Sequence, residues 1–114
     1  MPTPLPFNQL AEWERRAQEA QAKAAQALLR LVEAAEASDS GQARRVAGFL
    51  ASTFNGAAYP FDLFELRALD VALADDAMVC IDALRWGKAD LHKLIPDGER
   101  RIADLIKSWR LDRP

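Results

Sequence analysis

Few side chains in this sequence are able to do chemistry. One histidine, His92, and one cysteine, Cys80, stand among 114 residues, with acids grouped at Asp75, Asp76 and Asp82. Nucleophilic catalysis needs a serine, threonine or cysteine beside a base, and the stretch around His92 offers no partner. Cys80 lies in an apolar run, where a thiol behaves as a small hydrophobe and resists ionisation. One histidine with one cysteine falls short of the common zinc sets. Asp75, Asp76 and Asp82 make a hard-cation site only if another element adds oxygen ligands, so they read as solvated surface acids. The five glycines are scattered, and Gly98 alone at a helix start is a weak anion signal. No catalytic, cofactor-binding or metal-ligating residue is assigned. No cofactor is expected, and the chain is expected not to be an enzyme.

Composition narrows the partners. Fifteen basic and seventeen acidic residues give a net charge of −2, so no global field exists to hold a polyanion. Residues 61–87 carry two basic and six acidic side chains, whereas residues 88–114 carry seven and five. Arg44, Arg45 and the stripe Arg100, Lys107, Arg110 are the best phosphate-facing candidates, but Asp97, Glu99, Asp104 and Asp112 lie among the latter. Nucleic acid is therefore not an expected partner. A single cysteine permits no internal disulfide, and no stretch approaches the roughly 18 apolar residues that cross a bilayer. The expected setting is the cytoplasm, with no membrane partner.

The elements that must position these residues are helical. Half the residues are apolar, and no sustained period-two alternation of β-branched residues marks a strand. After a flexible N-terminus over residues 1–7, one long helix is expected over residues 8–37, with Asn8 as its cap. It holds no glycine or proline, and its alanine, glutamine, glutamate and leucine content favours a rod about 45 Å long. Leu10, Trp13, Ala17, Ala20, Ala24, Ala27 and Leu31 recur at steps of three and four, the spacing of a helix seam. From Ala24 onward a second stripe, Ala24, Leu28, Leu31, Val32 and Ala35, suits packing on a globular core. Whether the seam faces its own core, a second copy in a homodimer or another partner stays open. Residues 38–114 then form a helical core within one domain overall.

In that core, Val46, Phe49, Leu50, Thr53 and Phe54 give a second helix, stopped at Asn55 and Gly56. Asp62 with Glu65 three residues later fits a capping box, with Phe61 as its staple, and the region breaks near Asp70. A helix to Trp86 follows, stopped by Gly87. Its apolar residues Val71, Leu73, Ala74, Ala77, Met78, Cys80, Ile81 and Leu84 cover about half the circumference, which makes it the expected central helix. Asp97 caps a last helix with Ile102, Leu105, Ile106 and Trp109 on one face. The fold class is all-α, a compact bundle of about four main helices with a long alanine-rich N-terminal helix.

On the far side of the expected central helix, Asp75, Val79, Asp82 and Trp86 form one stripe in which acids alternate with apolar side chains. A tryptophan flanked by acids can anchor an interface, so this stripe is the candidate partner surface. The alternative is that Trp86 folds back under residues 88–95.

From Arg45 to Arg110 the sequence resembles a family of small uncharacterised proteobacterial helical proteins associated with plasmids and integrating elements. The resemblance is carried by Phe61, Asp62, Leu63, Leu66, Asp70, the run Ala74, Asp75, Asp76, and the closing Trp109 and Arg110. Where that family has an aromatic pair and an acidic turn, this chain reads Ser52, Thr53, Phe54, Asn55. The resemblance implies a compact helical domain among mobile-element accessory genes, acting on host or phage machinery, and it supplies no catalytic residues. The expected function is a non-enzymatic protein-interaction or accessory module with an unknown protein partner. The alternative is a dimeric DNA-associated regulator.

Overall fold

A computed structural model describes residues 7–112. It contains four α-helices, α1 (Phe7–Ala37), α2 (Gly41–Phe54), α3 (Val71–Trp86) and α4 (Gly98–Ser108), with short 3-10 helices at Leu63–Ala68 and Leu91–Leu94. No strand occurs among the described residues. The all-α expectation and its long first helix are met. The expected flexible N-terminus falls outside the described residues except for Phe7, which opens α1, so Asn8 lies inside the helix rather than capping it.

The long helix is the centre of the fold. α1 packs along α3 and α2 and touches α4 and the second 3-10 helix. Ala24, Ala27, Leu28, Leu31 and Val32 are completely buried, so the seam and the globular stripe merge into one face on the chain's own core. Alanines let neighbouring backbones approach closely, and the leucines fill the space left between them. Ser40 then caps α2 by accepting from the Ala43 amide at 3.1 Å, while the Ser38 hydroxyl accepts from the Ser40 amide. α2 buries Val46, Phe49 and Leu50 and ends at Asn55, whose side chain accepts from Ala58 N–H.

Three expectations need correction. Asp62 does cap, accepting from the Phe64 amide at 2.9 Å, but Glu65 does not complete a box. It pairs instead with Arg45 of α2 at 2.8 Å, an ion pair that ties the first 3-10 helix to the bundle. Phe61 lies edge-on to Phe49, with ring centroids 5.5 Å apart, and Gln42 holds both Ala68 O and Asp70 N–H. Asp97 stands at the N-cap of α4 as expected, but its side chain makes no capping bond: it sits at φ 59° and spends its carboxylate on Arg100. The third correction concerns α3, which packs closely on α1 alone among the α-helices. It is an edge helix, and Val71, Met78 and Leu84 stay exposed.

Candidate functional site

Opposite charges set how α1 and α3 run past each other. Arg30 grips Asp76 through two bonds of 3.0 and 2.8 Å, and Glu14 pairs with Lys88 near the other end, so the helices are antiparallel. Asp76 is therefore the buried acid of α3 rather than a solvated one. Its carboxylate is neutralised by a guanidinium that reaches in from the surface, which is how a charge can sit on a packed face. Cys80, one turn on, is fully buried, and its thiol is pushed up to about 12, first by burial and then by the charge of Asp76, against the opposing pull of Arg30. A thiol in that state is a packing group and not a nucleophile at neutral pH.

The four residues of the sequence stripe are not displayed together. Val79 is half-buried against the core, and the half-buried indole ring of Trp86 lies within cation–π reach of the guanidinium groups of Arg16 at 5.3 Å and Arg85 at 4.8 Å. Asp82 is half-buried and bound to Arg85 at 2.6 Å. Only Asp75 stands in solvent with no ion-pair partner among the described residues. Arg16, Glu19, Lys23, Asp82, Arg85 and Trp86 line a cleft of about 160 Å³ where the two helices meet.

The seam divides in the same way. Ala17, Ala20, Ala24, Ala27 and Leu31 are buried, whereas Leu10 and Trp13 keep 49% and 39% of their surface exposed beyond the end of α3. The alanine stretch is thus occupied by the chain itself.

A different apolar surface is left open. Leu63 and Phe64 of the first 3-10 helix are 69% and 72% exposed, and Val71 and Met78 of α3 are 77% and 53% exposed. Val71, Ala74, Met78 and Ile81 follow steps of three and four, with Asp75 and Asp82 seven apart along one flank. The sequence shows these apolar positions but counts Val71 and Met78 with the core, because apolar spacing does not say which side a neighbour occupies. Asp62, Asp70 and Asp75 have no ion-pair partner here among the described residues, and Arg67 lies against the Phe64 ring at 5.9 Å.

Elsewhere, His92 is edge-on to Phe54 at 5.2 Å, and its buried Nδ1 has no hydrogen-bond partner. It lines a cleft with Lys93, Asp97, Glu99 and Arg100, to which no serine, threonine or cysteine contributes. No group of three or more potential metal ligands occurs among the described residues, and none of their helices is long and apolar enough to cross a membrane. The basic stripe is partly spent: Arg100 pairs with Asp97 and Asp104, and Arg101, beside it, with Glu36.

No curated protein and no solved structure shows a significant match to the chain. One family model does, over residues 25–110, which takes in the C-terminal part of α1, the acidic segment and α4. The chain thus belongs to a family of unknown function, DUF7673.

Proposed function

We propose that the chain is a non-enzymatic protein-interaction module, with the outer side of α3 and the adjoining 3-10 helix as its working surface. One observation carries this reading. Of the seven large apolar side chains exposed among the described residues, four (Leu63, Phe64, Val71 and Met78) fall within sixteen consecutive positions. Single exposed apolar residues are ordinary, but a concentration of them rimmed by charge marks a binding face. The mobile-element setting implied by the sequence resemblance fits a small accessory protein that acts on host or phage machinery by binding it.

The test is affinity capture from the native host with three baits: the unaltered chain, a Phe64→Ser/Met78→Ser variant, and a Val79→Ser/Trp86→Ser variant. Loss of a captured protein with the first variant and its retention with the second is the expected result. Identical capture by all three baits would sink the reading. A dimeric DNA-associated regulator draws less support, because Arg100 is tied to carboxylates and the seam that would join two copies is filled.

A further inference from the structure

We infer that the outer face of α3 takes one amphipathic helix of a partner protein, lined on its flank by lysine or arginine. The inference rests on the interaction-module reading and names the chemistry of the partner. α3 is sixteen residues long, about 24 Å, and packs along α1 on one side only, which leaves room for a helix alongside it. Val71 and Met78, one heptad apart and more than half exposed, supply its open apolar positions, bordered by Ala74 and Ile81, which are half-buried against the chain's own core. Asp75 and Asp82 hold the same flanking position one heptad apart. In paired helices that position chooses the partner by charge.

The charges also argue against a second copy as the occupant. In an antiparallel self-pair centred on Met78, Asp75 of one chain lies along Asp82 of the other, acid against acid. A parallel self-pair sets Asp75 beside Asp70 and Asp82 beside Ala77, with no complement. A basic flank on the incoming helix meets Asp75, which has no ion-pair partner of its own among the described residues, and it competes with Arg85 for Asp82.

The experiment uses the full chain and two labelled synthetic peptides of about 18 residues, long enough to run the length of α3. One carries leucine at seam positions and lysine elsewhere, and the other replaces every lysine by glutamate. Fluorescence anisotropy reads affinity at two salt concentrations, and circular dichroism confirms that each variant is folded. The lysine peptide should bind, and the glutamate peptide should not. Asp75→Lys/Asp82→Lys should weaken binding about tenfold and flatten its salt dependence, while Met78→Ser should weaken it and leave the salt dependence unchanged. Equal binding of both peptides, binding indifferent to these variants, or no binding of the lysine peptide overturns the inference. So does self-association abolished by Met78→Ser, which would make a second copy the occupant. If the peptides fail while Phe64→Ser/Met78→Ser still loses a captured host protein, the interaction module stands and only the basic-helix partner falls. If capture is unaffected as well, both fall.

Discussion

Asp76 shows how much a single buried charge constrains its neighbours. Its side chain keeps 13% of its surface, while the Arg30 side chain that binds it keeps 57%, so the two partners are not equivalent. Removing Arg30 strands a carboxylate that water barely reaches, and Arg30→Met should destabilise the fold. Asp76→Asn keeps a hydrogen-bonding partner for the guanidinium and should cost less. The double variant Arg30→Met/Asp76→Leu should recover most of the loss, and a double-mutant cycle on urea midpoints checks the ordering. The neighbouring Cys80 makes a prediction at high pH. A thiol whose pKa is raised by folding is stabilising while the unfolded thiol also holds its proton, and that contribution fades as pH climbs from the ordinary 9 to about 12. Cys80→Ala should therefore flatten the alkaline loss of stability in that window, as read from midpoints at successive pH values, and the native thiol should resist modification at pH 8. Gly98 is fixed by space alone. A Cβ there would lie 2.0 Å from the His92 carbonyl oxygen, so Gly98→Ala should cost about 3 kcal/mol by forcing the start of α4 off the second 3-10 helix.

At the scale of elements, α1 is two structures in one rod. From Asn8 to Arg16 its side chains are exposed, apart from the half-buried Gln9, whereas the span from Ala17 to Ala35 supplies a large part of the buried core. A chain starting at Glu14 loses, among the described side chains, only exposed ones and the half-buried Gln9, and should melt within about 1 kcal/mol of the full chain. A chain starting at Ser38 loses Leu28, Leu31 and Val32, each worth roughly 1.5–3 kcal/mol on burial, along with the alanines that let α3 approach, and it should show no cooperative melt by circular dichroism. The seam itself was legible, since alanine and leucine at steps of three and four can face only a close neighbour. That the neighbour would be α3 was not legible, because the pairing is set by contacts such as Arg30 with Asp76, 46 residues apart, which no local pattern contains. The same limit explains α3, where apolar residues spread around more than half the helix. Spacing alone favoured Val71 and Met78 as core, yet the buried face is Asp76, Ala77, Cys80 and Ala83, small enough to fit against α1. It also explains Trp86, half-buried and within cation–π reach of Arg16, a contact across 70 residues. The Asp97 side chain makes no capping bond for a local reason: Arg100 one turn later competes for its carboxylate.

For the whole molecule, ion pairs join α1 to α3 and α4, and they set its response to acid. Glu36 binds Arg101 of α4 and Glu14 binds Lys88, and both carboxylates are held below their usual 4.5, first by the hydrogen bond each accepts from its cation. A carboxylate lowered by folding contributes stability that is present above its unfolded value and lost as pH falls through its folded one. Stability should therefore decline from about pH 4.5 downward, and Glu36→Gln should make the fold less stable at pH 7 but nearly indistinguishable from the unaltered chain in strong acid. Association is governed by what α1 leaves uncovered. The molecule measures 51 × 28 × 26 Å, with the long dimension set by the 31 residues of α1. Stable interfaces bury roughly 1,200–2,000 Å² in total, and with the seam from Ala17 to Leu31 filled by the chain's own core, Leu10 and Trp13 are the large apolar side chains that α1 exposes among the described residues. Two side chains on a bare helical turn fall well short of that area, and the acids along α3 oppose self-pairing on the other apolar face. Light scattering on a sizing column should accordingly give the 12.7 kDa of one chain, eluting early for its mass because the particle is elongated. A mass of two chains that returns to one on Leu10→Ser/Trp13→Ser would show instead that the overhanging turns of α1 pair with a copy, and would revive the dimer as the working form.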